Sequence, residues 1–127
     1  MVFVVITVYA KAVEQLKNRL VKELGDKIEF IVLYGSVAKK TIHEESDIDI
    51  LVVTREEDKN IYDKISKIRT QIDLRSNTLT TIVHLTCEEL EQYTKLGSPF
   101  IKSVAEEGII LHDKGTFKKL CQSLLGK

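Results

Sequence analysis

The sequence predicts an α/β (α+β) domain, a sheet covered by helices, on three observations. Apolar runs rich in β-branched residues at Ile28–Tyr34, Asp47–Thr54 and Thr78–Thr86 have the length and composition of strands. Around them, apolar residues recur at helical spacing, as in Val13, Leu16, Leu20 and Leu24 or Ile61, Ile65, Ile68 and Ile72. Glycine, proline and capping residues fall between these segments and separate them. Strands that alternate with helices imply a sheet with helical cover.

Taken in order, a first helix is expected from about Tyr9 to Leu24, with Gly25 as its stop. The apolar opening Val2–Val8 either extends that helix from about Phe3 or forms a short strand. The first strand is Ile28–Tyr34, and Gly35-Ser36 ends it. A short helix from about Ser36 to Lys40 and a polar loop, Thr41–Glu45, lead to the second strand. Arg55–Lys59 reads as a solvated charged loop, and Lys59–Ile72 as a second long helix, with a turn at Asn77. Thr78–Thr86 is the third strand. Thr86 and Glu89 have the spacing of a capping box for a helix over Cys87–Leu96. Gly97-Ser98-Pro99 interrupts it, and Pro99 suits the first turn of a helix running to Glu107. A short strand, Ile109–His112, and a last helix, Thr116–Leu125, complete the chain.

A chain of 127 residues fits one domain over residues 1–127, long enough for a core without disulfides. Lys plus Arg and Asp plus Glu number 19 each, so no basic excess argues for nucleic-acid binding. Cys87 and Cys121 have no metal-ligand spacing and read as reduced, core-packed thiols of a cytoplasmic protein. The apolar opening is too short for a membrane span, which takes about 20 residues.

The chemistry concentrates in two places. Gly35-Ser36 follows a buried strand and opens a helix, where unpaired N–H groups make an anion site and a missing Cβ admits a phosphate. On the next strand, Asp47 and Asp49 stand at i and i+2 and share a face, while Ile48 and Ile50 point into a core. Two adjacent carboxylates repel each other. A hard divalent cation relieves that repulsion, and Mg²⁺ takes one or two carboxylates together with substrate phosphates. A phosphate turn beside a metal-holding pair suits phosphoryl or nucleotidyl transfer.

Gly35-Ser36 followed by Ser46-Asp47-Ile48-Asp49 resembles the Gly-Ser … Asp-x-Asp motif of the nucleotidyltransferase superfamily that includes DNA polymerase beta, and most of all its minimal prokaryotic members. Ser98–Ile101 and Glu106–Leu111 resemble the tail of such domains. The resemblance implies the nucleotidyltransferase fold with a mixed central sheet. It also implies Mg²⁺-dependent transfer of a nucleoside monophosphate, AMP from ATP, to an acceptor hydroxyl. Gly35, Ser36 and Ser46 would then meet the nucleotide, and Asp47 and Asp49 would hold the metal. It further implies a small helical partner of HEPN type in a toxin–antitoxin pair. A homodimer through the apolar N-terminus is another arrangement of this chain.

Two features depart from the family pattern. Lys40 stands where family members often have glycine, and Lys39 and Lys40 read as solvated lysines. The resemblance also calls for a third acid on the neighbouring strand, yet Thr78–Leu85 contains none. Thr80, Ile82 and His84 share one face of that strand, and Thr81, Val83 and Leu85 the other. His84 reads as structural, and nothing places Asp73 or Glu88 at a metal. A binding module that retains the fold without catalysis is therefore the alternative to an enzyme.

Overall fold

The computed structural model describes residues 2–38 and 47–126, with the side chains of residues 2–6 and of Ser36 outside the description. Helix α1 (Val2–Leu24) leads through a 3₁₀ turn at Gly25–Lys27 into β1 (Ile28–Tyr34). Then come α2 (Gly35–Ala38), β2 (Ile48–Thr54), α3 (Lys59–Ser76), β3 (Thr80–Thr86), α4 (Cys87–Lys95), α5 (Pro99–Glu107), β4 (Ile109–Asp113) and α6 (Thr116–Leu125). The sheet has the order β3-β2-β1-β4. β1 is antiparallel to both β2 and β4, whereas β2 and β3 are parallel, so the sheet is mixed, as expected. Parallel neighbours need a crossover, and α3 supplies it.

The sheet is covered on both sides. On one face, Ile31, Leu33, Ile48, Ile50 and Val52 pack against Leu16 and Leu20 of α1 and Ile65 and Ile68 of α3. On the other, Phe30, Val32, Leu51 and Val53 pack against Leu90, Ile101, Val104 and Phe117 of α4, α5 and α6. This explains why β1 and β2 are nearly continuous apolar runs: both their faces are buried. Each fully buried leucine, isoleucine or phenylalanine contributes about 1.5–3 kcal/mol relative to exposure.

Three boundaries differ from expectation by two residues or more, each for a local reason. α1 starts at Val2, so the apolar opening is helical; no glycine or proline interrupts Val2–Leu24. α3 runs on to Ser76 and ends at Asn77, whose backbone is left-handed (φ 55°). β3 starts at Thr80 rather than Thr78. The Asp73 carboxylate accepts hydrogen bonds from Thr78 Oγ1 (2.9 Å), Thr80 N (2.9 Å) and Thr80 Oγ1 (2.7 Å), which holds Thr78-Leu79 as a turn. The capping box is present: Thr86 Oγ1 accepts from Glu89 N (3.1 Å) and the Glu89 carboxylate accepts from Thr86 N (3.0 Å). Ser98 caps α5 and Pro99 occupies its first turn. No helix among the described residues is long and apolar enough to cross a membrane.

Candidate active site

β1 and β2 bring the two halves of the motif together. Their antiparallel register sets Tyr34 directly opposite Asp49, so the turn that follows Tyr34 lies beside the start of β2. Gly35 has φ +74°, a left-handed backbone that residues with a Cβ adopt at a cost. A Cβ there would stand 3.2 Å from Asp49 Cγ and closer still to Asp49 Oδ2. The space left by the missing side chain is thus filled by the Asp49 carboxylate itself. Glycine is required here first to seat Asp49 against the turn.

Asp47 and Asp49 share a face as the alternation requires, with Ile48 and Ile50 fully buried on the opposite side. Burial, and then the charge of Asp47, push the Asp49 carboxyl above its ordinary range. The same charges act on two phenols. Burial raises Tyr34 and the Asp49 charge adds to it; burial raises Tyr9 of α1 and the Asp47 charge adds to it. This crowding of negative charge is what a divalent cation would relieve, and two carboxylates on one face would fit Mg²⁺ held jointly with a nucleotide's phosphates. Among the described residues no group of three His, Cys, Asp or Glu side chains forms a metal cage.

The third strand explains why. β3 is the neighbour of β2, and its register sets Thr81 opposite Asp49, on the same face. A threonine therefore stands where a third carboxylate would complete the site. His84 lies opposite Val52, on the α1–α3 side of the sheet and away from Asp49. Its Nε2 is 2.8 Å from Thr54 Oγ1, and that hydroxyl donates to Glu56 O at 3.0 Å, so the imidazole Nε2 donates. Burial lowers the His84 pKa, against the opposing charges of Glu89 and Glu57. Asp73 is committed to the α3–β3 turn and Glu89 to its cap. Cys87 and Cys121 are free, half-buried thiols whose pKa values burial raises. Ser46, Lys39, Lys40, His43 and the Thr41–Glu45 loop lie outside the described residues, as does the side chain of Ser36.

The sequence does not single out Tyr9, Tyr34 or Phe100. Tyr34 packs edge-on against Phe100 of α5, with ring centroids 5.3 Å apart and planes at 79°. The available signal for Tyr34 is its position just before Gly35, which becomes meaningful only once the β1–β2 register is known.

A glycine turn beside a paired-acid strand, in a mixed sheet with this connectivity, is the arrangement expected of a nucleotidyltransferase domain. A family model described as "Polymerase beta, Nucleotidyltransferase" matches residues 14–116, and the chain belongs to that family. Its class is accordingly that of the nucleotidyl transferases. A protein of Methanocaldococcus jannaschii, provisionally named a protein adenylyltransferase, is 31% identical over 102 residues, covering 80% of this chain and 96% of that protein. The fold is also that of a toxin–antitoxin crystal structure with AMP-PNP, at TM-score 0.63 and 19% identity over 89% of this chain and 84% of that one. A further match is a structure of tri-AMPylated Shewanella oneidensis HEPN toxin with MNT antitoxin, at TM-score 0.52 and 17% identity, covering 87% of this chain and 82% of that one.

Proposed function

We propose that this protein transfers AMP from ATP to a hydroxyl of an acceptor protein and releases pyrophosphate. The observation that supports this reading best is the seating of Asp49 against the Gly35 turn, with Asp47 two residues away on the same face. In the reaction the acceptor oxygen bonds to the α-phosphorus, the bond from that phosphorus to the bridging oxygen of pyrophosphate breaks, and the proton of the acceptor hydroxyl passes to water or to the departing pyrophosphate. Asp47 and Asp49 would hold Mg²⁺, which when bound neutralises charge on the phosphates. Gly35, Ser36 and Ser46 would meet the nucleotide, as the family resemblance implies. Thr81 is no base and His84 lies on the opposite face, so the face of β3 beside Asp49 offers no side chain to receive the acceptor's proton. The acceptor we favour is a helical partner of HEPN type in a toxin–antitoxin pair in the cytoplasm. The relatives that carry this fold include such complexes, one with an AMPylated toxin.

The threonine opposite Asp49 supports a second reading, a domain that binds nucleotide and partner without transfer. One experiment separates the two. The protein is incubated with its helical partner, Mg²⁺ and ATP labelled at the α-phosphate, and the partner is examined by intact-mass spectrometry. Transfer predicts a labelled partner whose mass rises by one or more AMP units, and no labelling with Asp47→Asn/Asp49→Asn. Unlabelled partner, with MgATP still bound, would establish the second reading.

A further inference from the structure

We infer that the apolar groove between β3, α4 and α5 receives the base of the nucleotide. This inference rests on the nucleotide-binding reading above and adds the subsite that holds the end of the nucleotide remote from the phosphates. The groove is lined by Val83, Leu85, Tyr93, Ser98 and Phe100 and has a volume of ≈ 260 Å³.

Its position follows from register. Thr81 is opposite Asp49, and Val83 and Leu85 continue along the same face of β3, opposite Leu51 and Val53. Two residues of strand advance about 7 Å, so the groove begins one strand repeat from the carboxylates. A second path joins the two places: Phe100, in the groove wall, packs edge-on against Tyr34, which lies opposite Asp49. The groove and the two carboxylates therefore lie on the same face of the sheet, with Tyr34 and Phe100 packed between them.

Its chemistry selects the base rather than the phosphates. The lining carries no charged side chain and two hydroxyls, and that of Ser98 already accepts from Ile101 N at 3.3 Å. Aliphatic and aromatic walls suit a flat heterocycle, since bases stack on aromatic rings regardless of sequence. The volume falls below the ~300 Å³ at which pockets for drug-sized ligands begin, which suits a single ring system and not a whole nucleotide. Tyr93, 47% exposed, stands at an open rim through which a base could enter.

The test compares ATP with inorganic tripolyphosphate, which carries the phosphates and no base. Binding of each is measured calorimetrically with Mg²⁺ for wild type, Phe100→Ala, Tyr93→Ala and Val83→Trp, with circular dichroism confirming the fold. Tyr93 is exposed enough that its truncation leaves the core intact, so the test survives if Phe100→Ala does not fold. The expected result is weaker ATP binding in each variant, by about tenfold for loss of one aromatic stack. Tripolyphosphate affinity stays within about twofold in the same variants, since none of these residues faces the phosphates. Unchanged ATP affinity in folded variants, equal losses for both ligands, or a wild type that binds tripolyphosphate as tightly as ATP would overturn the groove assignment alone. A wild type that binds neither ligand overturns the nucleotide reading, and the groove assignment with it.

Discussion

Alanine at Gly35 should cost more stability than alanine at Gly97, although the two glycines have nearly the same backbone, φ +74° and +72°. A residue with a Cβ in that left-handed conformation costs about 1–2 kcal/mol at either place. At Gly97 nothing lies within 4 Å of the added methyl, so the conformational cost is the whole cost. At Gly35 the methyl meets Asp49, with Cγ at 3.2 Å and Cβ at 3.3 Å. Relief requires the carboxylate to rotate away or the β1–β2 pairing to spread, and overpacking of this kind costs a further ~1–3 kcal/mol. Gly35→Ala should therefore lose about 2–5 kcal/mol in urea unfolding, against about 1–2 for Gly97→Ala. At about 4 °C per kcal/mol for a chain of this size, the excess is about 4–12 °C in Tm. The Asp49→Ala background removes Cγ and Oδ2, so the Gly35→Ala penalty should fall there toward the Gly97 value, giving a coupling of about 1–3 kcal/mol. Equal costs at the two glycines, or strict additivity of Gly35→Ala and Asp49→Ala, would refute the claim that the turn is built around the carboxylate.

Other expectations follow from the same geometry. Because burial and the Asp47 charge raise the Asp49 pKa, the fold disfavours its ionised form, and Asp49 contributes most favourably below the ordinary carboxylate range. That contribution is lost as pH rises through the folded value. Asp49→Asn should thus raise Tm at pH 7, with solvent screening keeping the gain small, and the gain should vanish toward about pH 4 while MgATP binding is lost. For His84 the sign reverses: burial lowers its pKa, so its contribution is present above about pH 6.5 and lost as pH falls through the folded value. His84→Gln should flatten stability between about pH 5 and 7 in calorimetric melts, yet leave transfer within about twofold, because the ring lies on the opposite face from Asp49. Thr81→Asp sets a third carboxylate opposite Asp49, and titration should show Mg²⁺ binding without nucleotide about tenfold tighter, or ~1.4 kcal/mol. No gain would mean that Thr81 does not face the metal site.

The central strands were legible because both their faces are buried, which leaves β1 and β2 as unbroken apolar runs bounded by turn residues. The diacid face was legible from alternation alone, and the α4 cap from the spacing of Thr86 and Glu89. The start of α1 was not, since Val2–Val8 is apolar and β-branched and reads equally as strand or helix. β3 begins two residues late because Asp73 reaches seven residues forward to Thr80, an interaction no local pattern encodes. The partnership of Tyr34 with Asp49 and of Asp49 with Thr81 depends on strand register, which is fixed by the assembled sheet. His84 was placed on its face by alternation, but its bond to Thr54 across 30 residues became visible only in the fold.

The central claim, a working metal–nucleotide site at Asp47 and Asp49 beside Gly35, is tested most directly by calorimetric titration with ATP, in Mg²⁺ and then in EDTA. The account predicts binding to the wild type that requires Mg²⁺ and disappears in Asp47→Asn/Asp49→Asn. Binding that survives EDTA or the double substitution would contradict it, as would no binding in any condition.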